Sequence, residues 1–143
     1  MIDNQSIDIL RIQPSQFYIS QEKLDAVEAW FAPDRLSAFE PIPIKCLDGE
    51  LVCTDGHTRC VAALRHGVRF IPFVWDEDEL DWEMYRRCVA ACKERNVFSA
   101  QDLLSRIISA AEYEAKWNHW CDIMQAQVEH ERKHPFCMDH FKP

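Results

Sequence analysis

The sequence predicts an α/β protein: a small mixed sheet with flanking helices, followed by a C-terminal helical segment. Three observations predict it. Asp48-Gly49 separates two apolar runs and marks a β-hairpin. From Leu51 to Trp75 a strand, a tight turn, a small-residue helix and a compact apolar run follow one another. From Glu79 onward the apolar spacing is helical only.

Taken in order, Ser6 to Ile12 alternates apolar and polar residues and predicts a first strand, which Pro14 ends. Ser20 is placed to cap a helix whose apolar face is Leu24, Val27, Trp30 and Phe31, and Pro33 opens a loop. Ile42 to Leu47 reads as a strand, and Leu51 to Thr54 as its hairpin return. After Asp55-Gly56-His57-Thr58-Arg59, a helix through Val61, Ala62, Ala63 and Leu64 stops at Gly67. Arg69 to Trp75 then predicts a buried strand, which makes the whole a βαβ-like unit with its helix N-terminus aimed at the crevice beyond the strand ends. Leu80, Met84, Cys88 and Ala91 share one face of the next helix. Ser99 with Asp102, and Ser109 with Glu112, have capping-box spacing and open two further helices. The last helix carries Tyr113, Trp117, Trp120 and Met124 and turns charged from Glu129 to Lys133. Residues 1–78 thus form an α/β core and 79–143 a helical extension packed on it, in a single compact unit.

Composition narrows the function classes. The 143 residues are 48% hydrophobic, enough for one domain with a real core. No run approaches the roughly 18 apolar residues of a membrane span. The opening MIDNQSIDIL has neither a basic nor an apolar leader region, so a cytoplasmic location is expected. A net charge of −8 is the reverse of a phosphate-backbone binder, which makes DNA or RNA an unexpected partner. Seven cysteines, an odd number, are expected to be reduced and mostly buried.

The turn Asp55 to Arg59 carries the sharpest chemistry. Gly56 permits backbone angles barred to other residues. The N–H groups of His57, Thr58 and Arg59 fall in a first helical turn and are free to bind an anion. Thr58 adds a hydroxyl and Arg59 a planar cation suited to phosphate. Asp55 is positioned to hold Mg²⁺ or steer a proton. The plainer reading is an N-cap by Asp55, with Arg59 paired to a surface acid. Glu22 is either a base facing this turn or a helix-end charge. Trp75-Asp76-Glu77-Asp78 either rims a site at the strand ends, with Trp75 closing over a small ligand, or is a solvated loop. Cys88 and Cys92, with His119 and Cys121, have the makings of a zinc site, although core thiols fit the apolar stripe better. The tail residues His130, His134, Cys137 and His140 are spaced to let several reach one metal.

Thr54-Asp55-Gly56-His57-Thr58-Arg59, with its small-residue helix and Gly67, resembles the Gly-x-x-Arg box of the ParB/sulfiredoxin superfamily. Ile12 to Ser20 with Glu22-Lys23-Leu24, and Val74 to Asp81, resemble segments of its ParB-like free-serine kinase group, in the same order. A sulfiredoxin reaction is not implied, because the slot of its catalytic cysteine is His57, and Cys60 lies beyond Arg59. DNA clamping is not implied either, since the chain is acidic and its later helices lack a basic recognition face. The kinase group implies phosphoryl transfer from a nucleotide to a small hydroxyl, free L-serine first. In that reading Gly56, His57, Thr58 and Arg59 bind phosphate, Asp55 serves metal or proton, Glu22 is the base and Trp75 a substrate-side wall. The implied cofactors are Mg²⁺ and ADP or ATP, with CTP open. The alternative is a non-catalytic ParB-like nucleotide-binding or regulatory protein. The amphipathic final helix either packs internally or pairs with a second copy as a homodimer.

Overall fold

The computed structural model describes residues 5–134. Strand β1, Ser6–Asp8, is shorter than its alternation predicts. Asp8 Oδ1 accepts the Leu10 N–H at 3.0 Å and turns the chain into a 3-10 turn, Ile9–Arg11. A two-residue strand β2, Ile19–Ser20, leads into α1, Gln21–Glu28, which Ser20 caps by accepting the Lys23 N–H at 3.3 Å. Strands β3, Ile42–Leu47, and β4, Glu50–Cys53, form the expected hairpin. Asp48 and Gly49 both take positive φ, 53° and 83°, as a two-residue hairpin loop demands. Helix α2, His57–Arg65, and strand β5, Phe70–Trp75, follow.

The sheet order is β1-β5-β3-β4, with β5 parallel to β3 and the other two pairings antiparallel. This corrects the βαβ-like expectation. The hairpin already fills one edge of β3, so α2 carries the chain across to the other edge, and β5 runs opposite to β4. The buried strand expected at Arg69 to Trp75 is also corrected. Only Ile71 of β5 is fully buried, packed towards Cys60 and Ala63 of α2, whereas Phe70, Val74 and Trp75 are 57%, 46% and 49% exposed.

The helical segment comprises α3 (Trp82–Glu94), α4 (Ala100–Leu103), α5 (Ala110–Tyr113) and α6 (His119–Lys133), with a π-helical turn at Glu114–Asn118 before α6. Ser99 and Asp102 form the expected capping box. Ser109 Oγ accepts the Glu112 N–H at 3.2 Å. One strand was not expected here: β6, Ile107–Ile108, pairs in parallel with β2. Two residues are too few to show a period.

Helix α2 is buried on two sides. Cys60 and Ala63 face the sheet with Ile42, Ile44 and Ile71. Val61 and Ala62 face a second core of Phe17, Leu24, Cys92, Leu103, Trp117 and Val128. Phe17 centres that core, edge-on to Trp117 and Trp120 at 4.9 and 5.1 Å and under Arg95 at 4.1 Å. No described helix is long and apolar enough to cross a membrane.

Candidate functional site

Gly56 sets the site. It adopts φ 84°, ψ 19° and starts α2 with no side-chain cap. Asp55 does not cap α2; its Oδ1 accepts the Gly56 N–H at 2.8 Å. The backbone N–H groups of His57, Thr58 and Arg59 therefore open the helix unshielded, with the positive end of its dipole. A Cβ at position 56 would stand 2.7 Å from Ile42 Cδ1 and 2.8 Å from Arg59 Nη2, so the glycine also lets the guanidinium lie against the turn. Arg59 Nη1 donates to the Glu40 carbonyl at 2.6 Å and lies 3.5 Å from Glu40 Oε2. The expected pairing with a surface acid is present, and it holds the guanidinium beside the helix end.

His57 plays a different part from the one expected of its type. Its ring is buried, and Nε2 accepts the Ser15 N–H at 2.9 Å. Burial pushes its pKa down to about 4, against the opposing pull of Asp55. The imidazole is thus neutral near pH 7, and only its backbone N–H is left for an anion. Ser15 Oγ in turn donates to the Cys53 carbonyl at 2.7 Å, tying the 13–20 segment to the end of β4.

Two clefts meet at Asp55. The first, of about 360 Å³, is lined by the α2 N-terminus and Arg59, with Lys23 and Val27 of α1, Trp30 just past the end of α1, Glu40, Gln16 and Tyr113. The Lys23 ammonium sits 4.8 Å from the Tyr113 ring centre. The second, of about 610 Å³, is acidic: Asp55, Asp76, Glu77 and Asp78 line it with Trp75, Leu80 and Tyr85. Asp76 Oδ2 accepts from Thr54 Oγ1 at 2.6 Å, and Tyr85 donates to the Thr54 carbonyl at 3.2 Å. Burial, then Asp76, pushes the Tyr85 phenol up to about 12.

Asp55, Gly56, Thr58, Arg59 and the His57 backbone therefore come together, and Trp75 shares the second cleft with Asp55. Glu22 does not join them. It is exposed on α1 and lines neither cleft; its neighbour Lys23 points into the first. Lys23, Val27 and Trp30 follow at i, i+4 and i+7, and that stripe was the available signal. Trp30, expected in the core, is 49% exposed at the cleft.

The zinc set also separates: Cys92 is in the core and His119 is exposed. Among the described residues no three His, Cys, Asp or Glu side chains are grouped to hold a metal ion. Of the tail residues, the rings of His130 and His134 lie 4.5 Å apart, while Cys137 and His140 fall outside the described residues. Of the described cysteines, Cys46 is exposed, Cys121 half-buried, and Cys53, Cys60, Cys88 and Cys92 are buried free thiols.

Fold and site together define a mixed α/β protein with an uncapped helix end between two clefts. No protein-family model matches the chain. No curated protein matches it either. Among solved structures it is similar to the crystal structure of protein Atu1540 from Agrobacterium tumefaciens, at 15% identity and a TM-score of 0.43. The likeness covers 66% of this chain, which spans about half of that one (49%).

Proposed function

We propose that this protein is a ParB-like, nucleotide-dependent phosphotransferase acting on a small hydroxyl substrate, with free L-serine the first acceptor to test. The observation that supports it most is the placement of Asp55 between a cleft at an uncapped helix N-terminus, which also holds Lys23 and Arg59, and a separate acidic cleft.

In this reading the terminal phosphates of the nucleotide rest on the N–H groups of His57, Thr58 and Arg59. Arg59 and Lys23 add charge, and the formal balance with Glu40 and Asp55 leaves the helix dipole as the net positive contribution. Phosphoryl transfer needs positioning and charge stabilisation above all, and a turn locked by Gly56, Ile42 and the Arg59–Glu40 contact supplies both. The acceptor hydroxyl approaches from the acidic cleft, where Asp55 is the carboxylate within reach of both sides and takes the role expected of Glu22. Mg²⁺ suits this donor set, since it is commonly held by one or two carboxylates together with substrate phosphates, and Asp55 would serve either that metal or the proton. When bound, it would neutralise charge on the phosphates.

The second reading, a non-catalytic nucleotide-binding or regulatory module, is favoured by the absence of Glu22 from the clefts. One experiment separates them. The protein is incubated with Mg²⁺, L-serine and ATP, ADP or CTP in turn, and O-phosphoserine is sought by mass spectrometry. Product that disappears in Asp55→Ala and Arg59→Ala supports the kinase. Nucleotide binding without product supports the regulatory module. Absence of any binding reduces the turn to an ordinary helix start.

A further inference from the structure

A third cavity, of about 260 Å³, lies between α3 and α6 on the far side of His57. Its lining is rich in sulfur. Met84 and Cys88 are one helical turn apart on α3, and Cys121 and Met124 are three apart on α6, so each helix presents a thiol and a thioether on one face. The two helices pack directly and are clasped by Arg132 on Asp81, at 2.8 and 2.9 Å, and by Arg87 on Glu131. The π-helical turn that precedes α6 sets Trp117 into the same wall. Such turns recur beside functional sites. We propose that this cavity is a binding site for a single soft monovalent d¹⁰ ion of the Cu(I) class, held by Cys88, Cys121, Met84 and Met124.

The donor chemistry supports this. Thiolates and thioethers together select Cu(I) over the hard and borderline ions that carboxylates and imidazoles take. His57 also borders the cavity, but its Nε2 is occupied by the Ser15 N–H. As thiols, Cys88 and Cys121 carry their protons near pH 7 without metal. Forming the two thiolate–metal bonds breaks two S–H bonds and sends about two protons to solvent for each ion bound. The thioethers bind through sulfur lone pairs with no proton change. Cys46, exposed on β3, and Cys92, within the core, lie outside the cavity.

The test is an anaerobic Cu(I) titration of the full chain against bicinchoninate, with proton release measured in weak buffer. One ion per chain, release of about two protons, and a copper–sulfur shell in X-ray absorption support the site. Cys88→Ser with Cys121→Ser should lower affinity at least a hundredfold, and Met84→Leu with Met124→Leu, which preserves packing, about tenfold. Far-UV circular dichroism checks that each variant is folded. Cys46→Ser and Cys137→Ser should bind as the parent does. Retained binding in the double-serine variant, loss in Cys46→Ser or Cys137→Ser, or no effect of the double-leucine variant overturns the four-sulfur site.

Discussion

Acidification between pH 6.5 and 4 should destabilise this protein through His57. In the folded chain the imidazole is buried, accepts the Ser15 N–H, and has its pKa pushed down from 6.5 to about 4. Protonation would place a charge in the core and turn the Nε2 acceptor into a donor facing another donor. The unfolded chain titrates near 6.5, so between 6.5 and 4 it binds more protons than the folded chain, and stability falls as pH falls. At about 1.4 kcal/mol for each pH unit of displacement, the full loss is about 3 kcal/mol, complete once the pH is below 4. The assay is urea unfolding at pH 7, 5.5 and 4, for the parent and for His57→Gln, whose amide oxygen can still accept from Ser15 without titrating. The variant should start less stable at pH 7 yet lose much less over this range. An equal pH slope in both proteins would refute the assignment of the effect to His57.

Gly56→Ala forces a side chain into φ 84° and against Ile42 and Arg59, and should cost about 1–3 kcal/mol in chemical denaturation while weakening nucleotide binding by moving the guanidinium. In calorimetry with ATP, Lys23→Ala should lower affinity about tenfold, equivalent to about 1.4 kcal/mol, and Glu22→Ala should leave it unchanged; the reverse pattern would return Glu22 to the site. Gln13→Ala removes a buried amide that donates to the Pro14 and Val97 carbonyls, both at 2.9 Å, and should cost about 1–3 kcal/mol in the same unfolding assay.

Local chemistry was the legible part of the sequence. Asp48-Gly49, Ser20, and Ser99 with Asp102 act within a few residues, and their turn and caps stand where the residue types require them. The turn at Gly56 and the helix after it were equally readable, because glycine admits the positive φ the turn takes, but the Asp55 cap expected there is replaced by a bond to the Gly56 N–H. What depended on distant partners was not. Nothing near His57 in sequence announces that Ser15, 42 residues away, will occupy its ring nitrogen. The alternation at Ser6 to Ile12 could not reveal that Asp8 bends its own strand. The helical face Leu24-Val27-Trp30-Phe31 reads as uniformly core, yet α1 ends beside a cleft and Trp30 is left at its rim. Glu22 and Lys23 are adjacent, and which of them points inward is decided by how α1 rotates against α2, a packing outcome that spacing alone underdetermines.

The segment from Gln13 to Ser20 has a kinetic consequence. It is tied to the last third of the described chain by Gln13 to Val97, Phe17 to Arg106 and Gln16 to Tyr113, bonds that close loops of 84, 89 and 97 residues, and by the β2–β6 pairing. Such contacts raise the contact order, and their loop entropy must be overcome before they contribute any stability. Residues near the start of the chain therefore wait, during synthesis, for residues beyond Val97 before α2 is enclosed on both sides. A ribosome-bound chain stalled with residues 1–96 outside the exit tunnel should remain open to protease at Phe17, and one exposing residues 1–134 should be protected there.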